Sequence, residues 1–264
     1  MQKTKKEASP RGRKLIIANW KMNPKTSSEA LRVLKASKEA LSLTKYVDVV
    51  VCAPSLFTGL ITKGAKKKSL SFGLQNIHSE TEGAFTGELS ADMGKSLGVT
   101  FSIVGHSERR ALGENNEFVA KKVAQLLKNG MTPILCVGEN ERDEHGHYLE
   151  VLKQELLGSL IGISKKAISK IVIAYEPIWA IGKTGSEAMD AHGLHQTALF
   201  IRKVLIDNFG NDAQEVRVLY GGSVAPENAG SLVKNGEVDG LLVGHQSLVA
   251  KNFKQILSEV DKNA

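Results

Sequence analysis

Eight short apolar runs recur along the chain, and helical patterns alternate with them. The runs are Leu15-Ile16-Ile17-Ala18-Asn19, Val47-Asp48-Val49-Val50-Val51-Cys52, Leu70-Ser71-Phe72-Gly73-Leu74-Gln75, Thr100-Phe101-Ser102-Ile103-Val104, Pro133-Ile134-Leu135-Cys136-Val137, Ile171-Val172-Ile173-Ala174, Val216-Arg217-Val218-Leu219-Tyr220 and Gly240-Leu241-Leu242-Val243. Runs this short and this apolar read as strands buried on both faces. Helices are predicted near 27–42, 117–129, 148–160, 190–207, 226–234 and 248–260. The second of them ends at Gly130, a C-cap signal. A long polar loop spans 76–88. Alternating strands and helices call for parallel strands joined by helical crossovers. Eight such units in a chain of 264 residues fit a closed (β/α)8 barrel. An open doubly wound sheet is the alternative, but no glycine-rich dinucleotide fingerprint follows the first strand.

Composition narrows the class. With 42% hydrophobic and 24% charged residues, the chain can bury a sizeable core. No apolar run is long enough to span a bilayer, and residues 1–14 lack the apolar centre of a secretory signal. Cys52 and Cys136 fall on different predicted strands without metal-ligand spacing. Reduced thiols in a cytoplasmic protein are therefore expected. The net charge of +7 is concentrated at one end: residues 1–14 contribute +5 through Lys3, Lys5, Lys6, Arg11, Arg13 and Lys14 against Glu7, leaving +2 elsewhere. Residues 1–13 thus read as a basic, disordered tail and 14–264 as one barrel domain. Contact of that tail with nucleic acid or anionic lipid is the sharper reading, a solvated extension the plainer one.

A barrel demands that functional residues follow the C-terminal ends of its strands. After the first strand come Asn19-Trp20-Lys21-Met22-Asn23. Gly105-His106-Ser107-Glu108-Arg109-Arg110 follow the fourth, Gly138-Glu139 the fifth, Gly221-Gly222-Ser223-Val224 the seventh and Gly244-His245 the eighth. The sixth run leads into Tyr175-Glu176-Pro177-Ile178-Trp179-Ala180-Ile181-Gly182. Pro177 stops the strand, and a carboxylate set there against apolar residues is costly to ionise, which suits a proton acceptor. The loop behind it is unusually apolar, so it reads as a lid needing something to close against. The plainer alternative for Glu176 is a structural ion pair beside a hydrophobic turn. Each rim residue alone has such a reading, and it is their convergence that points to a site.

At these stretches, and at Gly83-Ala84-Phe85-Thr86-Gly87-Glu88 and Leu135-Cys136-Val137-Gly138-Glu139, the chain closely resembles the triosephosphate isomerases over about residues 14–260. The resemblance implies interconversion of dihydroxyacetone phosphate and glyceraldehyde 3-phosphate in glycolysis and gluconeogenesis, with no metal or organic cofactor. It implies Glu176 as base, His106 as donor to the substrate oxygens, Lys21 as fixed positive charge, Asn19 as a further donor and Glu108 as a supporting carboxylate. Backbone N–H groups at Gly182, Ser223 and Gly244, with His245 beside them, are implied to cradle the phosphate. A homodimer is implied, with the loop around Thr86 reaching the neighbouring subunit and Glu88 meeting Arg109 across the interface. Nucleic-acid and membrane partners are not implied.

Two departures stand out. Lys183-Thr184-Gly185 follow the lid where the family has Thr-Gly, and Gly244-His245 stand where it has two glycines. His245 can still offer its N–H if its backbone avoids a glycine-only conformation. Its ring either lies outward or approaches the phosphate. The alternatives to the main reading are another phosphosugar barrel enzyme, a barrel that binds without catalysis, and a nucleic-acid binder resting on the tail.

Overall fold

The computed structural model describes residues 12–63, 69–183 and 189–264. Residues 1–11, most of the basic tail, lie outside them, as do Thr184 and Gly185 of the lid. In chain order the elements are β1 (Lys14–Asn19), α1 (Ser27–Leu41), β2 (Val47–Cys52), α2 (Ser55–Thr62), β3 (Leu70–Leu74), α3 (Ala91–Ser96), β4 (Phe101–Val104), α4 (Ser107–Arg110) and α5 (Asn116–Lys128). Then follow β5 (Thr132–Val137), α6 (His147–Gly158), α7 (Lys165–Ile168), β6 (Val172–Tyr175), α8 (Ala191–Phe209), β7 (Arg217–Tyr220), α9 (Ala229–Asn235), β8 (Gly240–Val243) and α10 (Ala250–Lys262). The eight strands form one closed barrel in sequence order. Every neighbouring pair is parallel, and β8 returns to β1 through Leu15↔Gly240, Ile16↔Leu241, Ile17↔Leu242 and Ala18↔Val243.

All eight expected strands are present, with ends moved by a residue or so. The helices α2, α3, α4 and α7 were not foreseen. Each has eight residues or fewer, too short for an apolar repeat to show its period. The helix expected from 226 begins at Ala229, because the Asn228 side chain accepts from Ala225 N–H at 2.9 Å and holds a turn there. The helix expected from 248 begins at Ala250, after a 3₁₀ turn over His245–Leu248. Arg13, grouped above with the tail, is tied to β2. Its Nε lies 2.6 Å from Asp48 Oδ1, and its guanidinium also donates to the carbonyls of Lys45 and Val47.

Side-chain alternation divides the core in two. On β1, Ile16 and Ala18 join the layer between barrel and helices, while Leu15 and Ile17 point into the barrel. The interior is filled by Leu15, Ile17, Val50, Cys52, Ile103, Ile134, Cys136, Val172, Ala174, Leu219 and Leu242. Stepping two residues further along these strands gives Asn19, Pro54, Gly105, Gly138, Glu176, Gly221 and Gly244. The layer above the plug therefore carries two polar side chains, with glycines leaving room around them.

Closure has a steric requirement at Gly240. Its φ is 157°, and a Cβ there would lie 1.8 Å from the Leu15 carbonyl oxygen. Gly240→Ala must push β8 away from β1, and we expect it to cost about 1–3 kcal/mol or more. A urea melt matching that of the native protein would contradict this account of the seam.

Candidate active site

The C-terminal rim opens into a cleft of about 1050 Å³. Asn19, Lys21, His106, Glu176, Gly182, Ser223, Gly244 and His245 all line it. The residues expected from the sequence are thus brought together, except Glu108, which reaches the cleft through Lys21, and the Thr86 loop with Arg109, which does not line it.

Glu176 is 2% exposed. Its Oε1 lies 3.1 Å from His106 Nε2, and its Oε2 accepts from Ser107 N–H at 3.1 Å. A buried carboxylate needs such donors, since leaving one unpaired is costly. The backbone fixes which nitrogen of His106 can donate. His106 caps α4, and its Nδ1 accepts from Glu108 N–H at 3.2 Å. A ring whose Nδ1 accepts holds its proton on Nε2. The tautomer follows from this hydrogen bond, and it aims an N–H at Glu176 and the cleft.

Lys21 takes φ 52°, a left-handed conformation that is uncommon for a side chain of its length. Its neighbours over-determine it: Asn19 Oδ1 accepts from Lys21 N–H at 3.0 Å, and Gln75 Nε2 donates to the Lys21 carbonyl at 2.9 Å. Gln75 Nε2 also donates to the Cys52 carbonyl at 2.9 Å. Lys21 Nζ meets Glu108 Oε1 at 2.5 Å in a partly exposed pair, one that contributes little to stability and can be exchanged for a ligand anion.

The base of the lid is held by a polar cluster that the sequence only hinted at. Glu139 is 1% exposed. Its Oε1 accepts from Tyr175 Oη at 2.7 Å, Trp179 Nε1 at 2.9 Å and Arg142 Nε at 3.0 Å. Arg142 also donates to Tyr175 Oη at 3.1 Å and to Thr197 Oγ1 at 2.7 Å. Burial, then the Glu139 charge, pushes the Tyr175 hydroxyl far above its ordinary range, so it stays a neutral donor. Glu139 stood out as a rim residue and Trp179 as a lid residue. Arg142, three residues after Glu139, joins no motif, and only that spacing could have flagged it. On the far side, Ser223 Oγ donates to the Ala180 carbonyl at 2.9 Å. Gly182 sits at φ 77°, where a side chain would be strained. Ile181 is 38% exposed and lines the cleft.

His245 is exposed and opens the 3₁₀ turn. Among the described residues, Lys21 and Glu237 are the non-glycine residues with positive φ, so His245 needs no glycine-only backbone. Thr86 and Glu88 are exposed on a loop without helix or strand. Arg109 is ion-paired within the chain to Glu114 at 2.7 Å. Among the described residues, no group of three or more His, Cys, Asp and Glu side chains is placed to hold a metal ion.

A family model described as triosephosphate isomerase matches residues 14–260. The triosephosphate isomerase of Alkaliphilus oremlandii is 43% identical over 251 residues, covering 93% of this chain and 99% of that protein. That of Fusobacterium nucleatum is 42% identical over 249 residues, covering 93% and 98%. Among solved structures, triosephosphate isomerase from Bartonella henselae superposes with a TM-score of 0.82 at 33% identity, covering 94% of this chain and 99% of that one.

The Glu139 cluster yields a stability prediction. Arg142→Leu removes the guanidinium that lies 3.0 Å from Glu139, a carboxylate that is almost wholly buried. Breaking such a pair from one side costs about 3–5 kcal/mol. Unfolding of the variant in urea at pH 7.5 is expected to show a loss of that order. A loss below about 0.5 kcal/mol, the size of an ordinary surface change, would mean that the tyrosine and tryptophan donors suffice.

Proposed function

The chain belongs to the triosephosphate isomerase family, and from that membership we propose how its rim performs the reaction. The enzyme is an isomerase interconverting dihydroxyacetone phosphate and glyceraldehyde 3-phosphate in glycolysis. The family match favours this over another phosphosugar chemistry. The observation that carries the assignment of roles is the pairing of Glu176 with an imidazole whose other nitrogen is engaged by a backbone N–H.

Glu176 is the base. It removes a proton from C1 of the ketose, the C–H electron pair becomes the C1–C2 double bond, and the carbonyl π pair moves onto O2. His106 Nε2–H donates to the oxygen that gains charge and mediates proton exchange between O1 and O2. Protonated Glu176 then delivers its proton to C2, leaving the aldehyde at C1. In the free protein Glu176 is held by His106 and Ser107 N–H, so substrate must displace it from both. Lys21 supplies positive charge once the substrate competes with Glu108 for it. Asn19, with its carbonyl on Lys21 N–H, has its amide NH₂ left for the substrate. Donors fixed before the charge develops cost no reorganisation when it does.

The phosphate is assigned to backbone N–H groups of Gly182, Ser223, Gly244 and His245, at turns suited to anions. Its binding energy draws the lid shut. A sealed site protects the enediolate from expelling phosphate. We place the enzyme in the cytoplasm, in keeping with two buried free thiols, and treat residues 14–264 as its single domain. No described helix is long and apolar enough to cross a membrane.

We further assign a homodimer. Support comes from an exposed apolar set beside the rim: Met22 is 93% and Phe85 43% exposed, and the Phe85 ring lies 4.0 Å from His78 on the Thr86 loop. In the dimer, Glu88 shares Arg109 with Glu114.

Two outcomes are expected. Glu176→Asp keeps the charge but retracts it by one methylene. It should lose about 10²-fold or more in kcat with a modest change in KM, because catalysis depends on position. A coupled assay showing near-native turnover would remove Glu176 from the base role. Sedimentation velocity at assay concentration should find a dimer, and dilution into monomers should abolish most activity. A fully active monomer would overturn the dimer assignment.

A further inference from the structure

Glu155, on α6, is a largely buried carboxylate that the chemistry above does not use. Its side chain is 13% exposed, and its Oε1 lies 2.6 Å from Arg110 Nε. The single Nε–H of Arg110 is nevertheless donated to the Gly105 carbonyl at 2.8 Å, and Glu155 Oε1 has no hydrogen-bond partner among the described residues. Glu155 Oε2 receives only a long contact from Gly138 N–H at 3.5 Å. An ionised Glu155 is therefore held by proximity to a cation, without well-aligned donors. Burial, opposed by Arg110 and Gly138 N–H and reinforced by the charges of Glu176 and Glu139, pushes it up to about 7.

Both ends of this pair lead to the catalytic rim. Arg110 grips the Gly105 carbonyl, one residue before His106, and reaches the Cys136 carbonyl on β5 at 3.4 Å. It also holds Asn116 Oδ1 at 2.7 Å and Ser159 Oγ at 3.1 Å. Gly138 lies directly against the base: a Cβ on it would be 1.8 Å from the Glu176 carbonyl oxygen. The charge of Glu176 makes Glu155 harder to ionise.

Building on the reading of Glu176 as base, we propose that Glu155 is a positioning residue for that base. Its carboxylate balances Arg110 behind the rim. It keeps the Gly105–His106 and Gly138–Glu176 segments in place. The charged and titratable groups facing Glu155 are Arg110 from α4, the Cys136 thiol of β5 with Glu139 beyond it, and Glu176 beyond β6. From α5 the neutral Asn116 completes the surround of Arg110. Burial keeps the Cys136 thiol protonated well above the range in question.

Glu155→Gln tests this, because it keeps the shape and removes the charge. The kcat should fall about 3–10-fold at pH 8, as expected when a base is moved slightly out of place. In the native enzyme kcat/KM should fall through a step near pH 7 as Glu155 takes up its proton, and the variant should lack that step. The substrate phosphate titrates identically against both proteins, so the comparison removes it. Melting supplies a readout independent of catalysis. A carboxyl that holds its proton more tightly when folded loses stability as pH rises between its unfolded and folded titrations. The melting temperature of the variant minus that of the native enzyme should therefore increase from pH 5 to pH 8. A constant difference, identical kcat/KM profiles, or a loss uniform across pH would each overturn the proposal. A fully active Glu176→Asp enzyme would overturn the base assignment and this proposal with it. A crippled Glu176→Asp enzyme together with an unchanged Glu155→Gln profile would overturn this proposal alone.

Discussion

Closure of the barrel through the β8–β1 seam is the constraint on which the site depends. Glu176 leaves β6, His106 leaves β4 and Lys21 leaves β1. No local interaction brings these segments together; they meet because eight parallel strands close into one ring and end on one rim. The seam allows no side chain at Gly240, and the rim allows none at Gly138, where β5 passes the backbone of Glu176. The interior of aliphatic side chains and two thiols sets the height at which the next inward-facing residues stand.

Polar groups at that height are oriented chiefly by backbone atoms. Glu108 N–H determines which nitrogen of His106 carries the proton, and Ser107 N–H takes one oxygen of Glu176. Gln75 holds the left-handed Lys21 by its carbonyl. Main-chain groups cannot change rotamer, so geometry set by them survives substrate exchange better than a network of flexible side chains. The exceptions are informative. Lys21 and Glu108 are paired by flexible, partly exposed side chains, and this is the contact that a ligand anion can replace.

Much of this was legible in the sequence, for physical reasons. Strands buried on both faces announce themselves as apolar runs, and a barrel rule then says where to look for Glu176, His106 and Lys21. Short helices such as Ser107–Arg110 complete no apolar period and were missed, although that helix orients both His106 and Glu176. Arg142 and Glu155 were missed for a different reason. Each is a charged residue on or before α6, where a pattern predicts solvent, and only three-dimensional packing turns them toward Glu139 and Arg110. The left-handed backbone of Lys21 has no signature either, since nothing in its residue type favours that conformation.

The proposed mechanism moves a proton between adjacent carbons by a carboxylate while an N–H steadies the oxygen on the neighbouring carbon. Dihydroxyacetone phosphate turned over in D₂O tests that claim most directly, with NMR of both the product and the recovered substrate. The account predicts carbon-bound deuterium from solvent, at C2 of the glyceraldehyde 3-phosphate and at C1 of recovered dihydroxyacetone phosphate. A Glu176→Gln enzyme that still exchanges the C1 hydrogen of dihydroxyacetone phosphate at the native rate would contradict the account, because the proton would then be leaving to another base.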